Sequence, residues 1–535
     1  MGRLHVLERR ASFLDPIHGL VRVTEEELAI IDAPIYQRLR HVKQNGLLYL
    51  VFPSATHTRF EHGLGTLHVA NAMLEALVYN SEASRGKLSS MAANTPGRAL
   101  DFSDVGDRAL RDLVRITRIA ALVHDLGHGP LSHSFDPFAP SKQAVATLLE
   151  RDAALAPLGS LRAHLLDPKH KERGAPELRA PIDHEAMSCV FLCHALAGRD
   201  DAALLRAVSA ALLGGRALDQ VAEEHPLGGW LYLIHDLVAS APIDADRMDY
   251  LERDSRSCGV TYGLYDRNRL LKSMLCFLES DATSRPRFRL GWKRSGLRAV
   301  ENFVQARFQL FAQVYYHKTN TAINAMLDTI GALARDARDS MFEESHARDV
   351  PSLASRYCEL TDERFMRELC ETKPRPIQLL ARAIQQRRFY KRMLEGDKAT
   401  VNSVMRLLER RGEEVAADEL AALRPVKSRI GATKGLSSGA KLLELDRAGR
   451  YVVAPRATTW AGASRTIAAL EQHDDDFWRL YLTEEVDRAR RQELLALVRE
   501  AAARYGSTGA APLSAQPQDS TRSSQSQSER PSLPD

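Results

Sequence analysis

Five residues whose side chains can bind a metal ion or transfer a proton fall within one short segment, 120–136. They are His124, Asp125, His128, His133 and Asp136. The residues just before them, 114–123, are almost all apolar and predict a buried helix, which two glycines and a proline then end. A histidine–aspartate pair at the buried end of such a helix is costly unless something compensates it, and a divalent metal ion would do so.

Two further segments offer ligands that could complete a metal site with this pair. His62 precedes a predicted helix, and Asp246 lies in an acidic segment, 242–255, that also carries apolar residues. Two imidazoles and two carboxylates, from His62, His124, Asp125 and Asp246, form a mixed nitrogen and oxygen set. Such a set suits Mn, Fe, Co, Ni or Zn. Four protein ligands leave open positions for water and for a phosphate oxygen.

The remaining polar residues suggest phosphate chemistry. His133, oriented by Asp136, could donate a proton to the leaving oxygen of a phosphate ester. The guanidinium groups of Arg59, Arg247 and Arg307 could bind phosphate oxygens as charged forks. Each of these residues alone is more simply explained as a buried polar group with a partner. The whole set is poorly explained in that way, because many polar residues interrupt otherwise apolar helices.

The elements that would position these residues are mainly helical. The spacing of apolar residues predicts a helical pattern over 25–46, a helix after Gly63, a polar surface insertion at 80–108 and helices in 181–196 and 230–255. Short strands with a turn are predicted at 13–24 and a hairpin at 286–294, followed by one long helix from about 296 to 335. Beyond 340 a second set of helices is predicted, with a loop and hairpin at 427–455. The residues from 506 to 535 are poor in apolar side chains, which predicts disorder.

Composition restricts the function classes. The 535 residues include 73 basic and 69 acidic ones, for a net charge of +4, which gives no support to a broad nucleic-acid-binding surface but leaves a local basic pocket open. Six scattered cysteines without a paired motif indicate reduced thiols in the cytoplasm. No run of about 18 apolar residues is present, so no membrane span is predicted.

An ordered series of motifs resembles the HD-domain phosphohydrolase superfamily. The pattern H…HD…D is spread over His62, His124–Asp125 and Asp246. One branch, the deoxynucleoside triphosphate triphosphohydrolases, is similar over about residues 13–335. The segments that carry this closer resemblance are DPIHG (15–19), YQRLRHVKQ (36–44), HTRFEHGLG (57–65), HDLGHGPLSH (124–133), His184–Glu185, IDADRMDYLERD (243–254) and RFQLFAQVYYHK (307–318).

The resemblance implies a mainly α fold and a metal-dependent enzyme, dGTPase-like, that hydrolyses dNTPs to a deoxynucleoside and inorganic triphosphate. It implies an HD domain at 1–335, a helical C-terminal region at 336–505 and a tail at 506–535. By position, His62, His124, Asp125 and Asp246 would bind one transition metal, with Mg on the triphosphate. His133 and Asp136 would supply the proton, and His128 and His184 would contact phosphate.

The same resemblance implies how substrate and activator would bind. Arg59, Arg247 and Arg307 would hold the triphosphate, while Gln44, Asp254 and Tyr315, with Tyr250 nearby, would line the deoxyribose. Asp32, Gln37 and Arg40 match positions that in a vertebrate member bind an activating guanine nucleotide between subunits. A homo-oligomer (dimer, tetramer or hexamer) activated by GTP or a dNTP is therefore expected.

Two other functions fit part of the sequence. An HD nuclease or phosphodiesterase acting on nucleic acid or a cyclic nucleotide could use the same metal centre, although the near-neutral charge and the three arginines favour a triphosphate. A nucleotide sensor or assembly scaffold without catalysis is the third interpretation. The complete ligand set and His133 argue against it, since a sensor could lose either.

Overall fold

The computed structural model describes most of the chain. Described are residues 9–90, 95–165, 180–199, 201–240, 242–279, 286–336, 348–372, 375–411, 415, 417–431, 433, 436, 441–455, 459–472, 476–483 and 487–506.

The described chain begins with a hairpin, as the sequence predicts for 13–24. Strand β1 (Ala11–Asp15) pairs antiparallel with β2 (Gly19–Val23), and Asp15 lies opposite Gly19 at the turn. The Asp15 carboxylate accepts hydrogen bonds from the backbone of Ile17 and His18, which fixes the turn. The DPIHG segment is thus a rigid corner at the edge of the helical core.

A mainly α architecture is confirmed. Helix α3 is buried on nearly all sides and packs against α4 and α11, so it forms the centre of the molecule. The α-helices up to residue 272 are α1 (Glu25–Ile31), α2 (Pro34–Gln37), α3 (Arg59–Ala83), α4 (Asp107–Val123), α5 (Lys142–Arg151), α6 (Gly159–Leu165), α7 (His184–Ala195), α8 (Ala202–Leu213), α9 (Gly215–Glu224), α10 (Trp230–Val238), α11 (Ala245–Ser257) and α12 (Arg267–Lys272). Short 3₁₀ helices include Arg38–His41, Gly46–Leu50 and Ser132–Phe138.

The hairpin predicted within 286–294 is wrong in its boundaries. Strand β4 (Arg287–Lys293) is one continuous strand, and its antiparallel partner is the preceding strand β3 (Met274–Glu279). Arg289 holds β4 in place, because its guanidinium donates to both oxygens of Asp236 on α10. That long-range pair has no signature in the local sequence.

The single long helix predicted for 296–335 is also wrong. The chain forms α13 (Leu297–Leu310), a π-helical turn (Phe311–Tyr315) and α14 (Lys318–Asp336). At the break, side chains donate hydrogen bonds to backbone carbonyl groups. Asn320 donates to the Tyr315 carbonyl at 2.8 Å, and Arg479 donates to the Tyr316 carbonyl. A π-helical turn of this kind commonly marks a functional position.

The C-terminal part contains more β structure than the predicted helical lobe. Three of its strands form an antiparallel sheet in the order β5–β9–β6, and β7 pairs in parallel with β4. Its elements are α15 (Val350–Glu359), α16 (Asp362–Glu371), α17 (Arg375–Gln385), β5 (Lys391–Gly396), α18 (Lys398–Glu409), α19 (Ala417–Ala421), β6 (Leu423–Arg429), β7 (Lys441–Leu445), β8 (Tyr451–Val453), α20 (Trp460–Ala463), α21 (Arg465–Gln472), β9 (Asp476–Leu482) and α22 (Arg488–Gly506).

The structure tests several of the predictions about how the chain is organised. Strands β7 and β8 confirm a hairpin within 427–455. The segment 80–108 is not wholly a surface insertion, because α3 extends to Ala83 and the backbone of Ala99 donates to Tyr451 on β8. The tail predicted to be disordered lies outside the described residues after Gly506. The domain boundary at 335 remains a prediction.

The described residues form two main hydrophobic cores and, apart from these, a small cluster of Leu88, Ala99, Leu275, Phe277 and Leu443. The larger one runs through the helices of the first part and includes side chains of α15, α16 and α17. The smaller one lies between α18, α22 and the β5–β9–β6 sheet. No helix in the described part of the chain combines the length and the apolarity that crossing a lipid bilayer requires. All six cysteines are free thiols, and none forms a disulfide.

Candidate metal and phosphate site

Three helix ends bring the four predicted metal ligands together. His62 lies in the first turn of α3, His124 and Asp125 follow the end of α4, and Asp246 lies in the first turn of α11. The Nε2 atom of His62 lies 3.2 Å from Nε2 of His124 and 3.1 Å from Oδ1 of Asp246. Asp125 lies 3.4 Å from each imidazole. The structure therefore collects residues from three distant segments within the span of one ion's ligands.

The hydrogen bonds of the two imidazoles suit a metal ion. Nδ1 of His124 lies 2.8 Å from the carbonyl of Ala121, and Nδ1 of His62 lies 2.7 Å from Asp249 Oδ2. A ring that keeps its proton on Nδ1, bonded to one of these acceptors, would leave Nε2 available to an ion. Both Nε2 atoms face the same point between the carboxylates. Metal-ligating histidines are commonly oriented in this way. The residues present thus fit a divalent ion, and His62, His124 and Asp246 form a group that could hold one.

The electrostatics of the group are those of a buried cation site. Burial lowers the pKa of His62, but its hydrogen bonds with Asp246 and Asp249 outweigh that effect and raise the pKa to about 10. Burial raises the pKa of Asp125, but Arg59 and His124 hold it well below its usual range. The carboxylates therefore stay ionised and attract positive charge to this point.

An unpredicted residue, Asp249, holds His62 from behind. Besides Nδ1 of His62, its carboxylate contacts His18 Nε2 at 2.5 Å and accepts two hydrogen bonds from Arg253. Arg253 in turn donates to Asp15 in the β1–β2 turn. These side chains are almost fully buried. The sequence signal was available, because Asp249 and Arg253 follow Asp246 at helical spacing, but nothing local showed that they face His62.

We expect Asp249→Asn to weaken metal binding by about 10- to 100-fold, as loss of an outer-sphere partner typically does. An asparagine amide can present a donor where His62 needs an acceptor, which misorients the ring. Competitive chelator titration of the purified protein measures the change in affinity. Asp266→Asn, at the exposed cap of α12, is the control. Equal affinity in both variants would show that Asp249 does not orient the ligand.

The predicted phosphate-facing residues form a second cluster beside the first. The rings of His128 and His184 stack with centroids 3.7 Å apart, and His133 meets them edge-on at 4.8 and 5.3 Å. Asp136 Oδ2 lies 3.6 Å from Nδ1 of His133. His128 Nε2 lies 3.4 Å from Asp125 Oδ1, which joins the two clusters. These four residues also form a group that could hold a metal ion.

Burial differs sharply within this second cluster. His128 is 1% exposed, whereas the His133 side chain is 70% exposed. Apart from the 3.4 Å approach of Nε2 to Asp125, neither His128 ring nitrogen has a hydrogen-bond partner among the described residues. Burial, together with Arg59 and His184, holds the pKa of His128 well below its usual value, so this ring is neutral. A neutral buried imidazole and an accessible one at its edge are suited to contact and protonate a ligand that enters from solvent.

The segment from His124 to Leu131, which leads into the 3₁₀ helix that carries His133, forms a turn and does not continue helix α4. Helix α4 ends at Val123, and a tight turn follows. Leu131 and Ser132 have φ values of 59° and 56°, in the left-handed region that residues with a side chain seldom adopt. Gly129 is needed here, because a Cβ atom would lie 2.1 Å from the ring of Phe135. The turn presents His133 to solvent just beyond the buried ligands.

The three arginines predicted to bind phosphate have partners within the protein. Arg59 is buried, pairs with Asp125 and donates to Ser132 Oγ at 2.9 Å. Arg247 pairs with Asp244, and the Arg307 guanidinium lies 5.4 Å from the centroid of the Phe311 ring. Arg247 keeps one fifth of its side chain exposed, which makes it more accessible than Arg59. Arg59 contacts the metal group, Arg247 lies on α11, and Arg307 lies near Asp244, which caps α11.

The residues predicted to line a deoxyribose also converge. The Tyr315 hydroxyl donates to Asp254, whose other oxygen lies 2.6 Å from Nε2 of His57. Tyr250 meets Tyr315 edge-on at 6.4 Å. The Gln44 carbonyl accepts a hydrogen bond from Arg59 at 3.4 Å. His57 was not predicted as a site residue, although it lies in the HTRFEHGLG motif.

The predicted activator residues lie around helices α1 and α2. Asp32 and Arg40 are exposed, and Gln37 is half-buried. Arg40 Nε donates to Gln37 Oε1 at 2.8 Å, and its guanidinium lies 3.5 Å from the centre of the Phe60 ring. The structure brings Gln37 and Arg40 into contact and leaves Asp32 at the end of α1.

Comparisons with known proteins agree with the resemblance to HD-domain proteins. A family model described as the HD associated region matches residues 266–430. A crystal structure of a hypothetical protein from Aquifex aeolicus has the same fold, with a TM-score of 0.56, 23% identity, and coverage of 90% of this chain and 99% of that one. Together with the H…HD…D ligand group, these findings confirm the resemblance to HD-domain proteins read from the sequence motifs.

Curated relatives include deoxynucleoside triphosphate triphosphohydrolases. SAMHD1 of Xenopus laevis is 31% identical over 271 residues, which are 49% of this chain and 36% of that protein. An uncharacterized protein of Methanocaldococcus jannaschii is 28% identical over 58% of this chain and 47% of its own length, and YwfO of Bacillus subtilis is 29% identical over 64% and 60%. The chain therefore spans only about half of the length of the curated relatives that it matches.

Proposed function

We propose that the protein is a metal-dependent hydrolase that cleaves deoxynucleoside triphosphates to a deoxynucleoside and inorganic triphosphate. The observation that carries this proposal is the direct contact between two clusters, where His128 lies 3.4 Å from Asp125. One cluster fits a divalent ion, and the other offers an accessible imidazole a few ångströms away. The choice of substrate is supported by the SAMHD1 relatives, which are deoxynucleoside triphosphate triphosphohydrolases.

The chemistry requires water to attack the α-phosphorus while the bond to the 5′-oxygen breaks. A divalent Mn, Fe, Co, Ni or Zn ion held by His62, His124, Asp125 and Asp246 would supply Lewis-acid polarisation and an activated water. His133, with Asp136 beside it, gives its proton to the departing 5′-oxygen. His128 and His184 contact phosphate oxygens, and Arg247 and Arg307 neutralise the triphosphate chain, with Mg as its counter-ion.

The sugar end of the substrate is proposed to rest against Tyr315. Its ring contacts the rings of Tyr250 and Phe311, and its hydroxyl donates to Asp254, so three side chains help to hold it in place. A rigid ring at this position would meet a 2′-hydroxyl and so favour deoxyribose over ribose. Gln44 is proposed to contact the same sugar.

One experiment separates this function from the alternatives. Purified protein with Mn is incubated with each dNTP, each NTP, a cyclic nucleotide and single-stranded DNA, and the products are identified by chromatography. Deoxynucleoside plus triphosphate is the expected outcome. Shortened DNA or an opened cyclic nucleotide would identify a nuclease or phosphodiesterase, and no product from any substrate would identify a sensor or scaffold.

We further propose that nucleotide binding at Asp32, Gln37 and Arg40 activates the enzyme in a homo-oligomer. Addition of GTP or a second dNTP is expected to raise the rate of hydrolysis and the mass measured by light scattering. Arg40→Ala, which removes an exposed cation and leaves the metal group intact, should abolish both responses. Unchanged activity and mass with every nucleotide tested would eliminate this proposal.

A further inference from the structure

The turn before His133 is held by a residue from the C-terminal part of the chain. Asp362, the first residue of α16, accepts a hydrogen bond from the Leu131 amide at 2.7 Å through Oδ1. Its Oδ2 accepts one from the Lys43 amide at 2.9 Å. The carboxylate is 4% exposed, and Lys43 Nζ lies 3.6 Å away. We propose that Asp362 is a positioning residue that holds the proton-donating turn in its working conformation.

The conformation of the turn explains why such a contact is needed. Leu131 and Ser132 are consecutive left-handed residues, and His133 follows them directly. Residues with a side chain seldom adopt this conformation unless the surrounding structure holds them there. Ser132 Oγ donates to the Lys43 carbonyl at 2.7 Å, so both Asp362 and Ser132 connect the segment at Lys43 to the turn.

The second segment tied by Asp362 also belongs to the site. Lys43 immediately precedes Gln44, the residue proposed to contact the sugar. The Gln44 carbonyl and Ser132 Oγ both accept hydrogen bonds from Arg59, which pairs with Asp125. One buried carboxylate therefore sets the spacing between the proton donor, the sugar contact and the metal group.

The ionisation of Asp362 is consistent with this role. Burial raises its pKa to about 6, although the amides of Leu131 and Lys43 and the Lys43 ammonium group oppose that effect. At pH 7.5 the group is ionised, so both oxygens act only as acceptors. An asparagine would present its amide NH2 group, a donor, to one of the two donating backbone amides.

Aromatic packing makes α16 a firm support for the turn. Phe365, one helical turn after Asp362, meets Phe135 at 5.3 Å and Phe138 at 5.1 Å, and both belong to the 3₁₀ helix that carries His133. Asp362 is also not the residue that caps α16. Thr361 does so by accepting a hydrogen bond from the Arg364 amide at 3.1 Å. Helix capping and turn positioning are thus separated into two adjacent residues.

This separation allows a matched experiment with Asp362→Asn and Thr361→Ala in the full-length protein. Hydrogen–deuterium exchange of the peptide spanning 129–132 is compared at pH 7.5, together with kcat, KM and bound metal. Asp362→Asn is expected to speed exchange in this peptide and to lower kcat about 10- to 100-fold, as a small misplacement of a catalytic group does. Bound metal should not change. Thr361→Ala removes the cap of α16 but keeps Asp362 and the packing of Phe365, so it should leave both kcat and the turn unchanged.

Asp362→Glu distinguishes a loss of positioning from a simple folding defect. It keeps the negative charge, while one extra methylene displaces the carboxylate. Its kcat is expected to lie between those of the wild type and Asp362→Asn. Exchange in 129–132 that is equal in the Asn and Ala variants would overturn the proposal, as would equal kcat values.

The catalytic part of this inference rests on the proposed function, and the two fail differently. If the wild type hydrolyses no dNTP, the proposed function fails, and the exchange measurement alone then decides whether Asp362 holds the turn.

Discussion

Replacement of Asp246 by alanine is expected to remove most of the bound divalent metal and to lower hydrolysis by about 1,000-fold or more. That factor corresponds to about 4 kcal/mol of lost transition-state stabilisation, within the range that a metal ion supplies. Asp246 Oδ1 lies 3.1 and 3.6 Å from the two imidazoles, so its loss leaves an incomplete ligand set. Metal analysis of the purified variant and product assays with saturating dNTP measure the two effects.

Asp246 is the better ligand to change because the structure shows what each alternative would disturb. Its side chain is 27% exposed. Asp125, by contrast, neutralises the buried Arg59, and breaking such a pair costs about 3–5 kcal/mol of stability. Asp125→Ala should therefore also lose turnover, but with a lower melting temperature. Asp219→Ala, at a half-exposed carboxylate on α9, is the control. Full metal content in Asp246→Ala would exclude this ligand assignment.

His133→Gln is expected to lower kcat by about 10²- to 10⁴-fold, the usual contribution of a general acid, while the protein keeps its metal. Glutamine preserves the polar side chain but cannot deliver a proton to the 5′-oxygen. Because the His133 side chain is 70% exposed and lies outside the ligand group, the melting temperature should be unchanged. Assays of kcat, metal content and thermal unfolding together distinguish this outcome from a folding defect.

A substrate with a better leaving group gives the sharper measurement. An ester that releases p-nitrophenolate needs no proton at the departing oxygen, so the deficit of His133→Gln should shrink markedly with such a substrate. His41→Gln, at an exposed histidine in the 3₁₀ helix Arg38–His41, is the matched control and should behave as the wild type. An equal deficit with both leaving groups would assign His133 another role.

The sequence by itself determined the mainly α class and the residues from which the site is built. Histidine and aspartate on otherwise apolar helices can be recognised without a structure, because burying them is costly unless they serve a purpose. The ordered motifs from 15–19 to 307–318 placed these residues in a family pattern. The spacing of apolar residues was less reliable at 296–335, where it predicted one helix. Hydrogen bonds from Asn320 and Arg479 to backbone carbonyls accompany a break between two helices there.

Tertiary structure alone decided how the ligands and the proton donor are held. Asp249 reaches His62 across 187 positions and Asp362 reaches Leu131 across 231, and no local pattern encodes such contacts. The left-handed conformation of Leu131 and Ser132 also could not be predicted from the local sequence, because long-range contacts stabilise it. The sequence thus identified the chemistry of His124, Asp125 and His133, and the packing of α11 and α16 around them set its geometry.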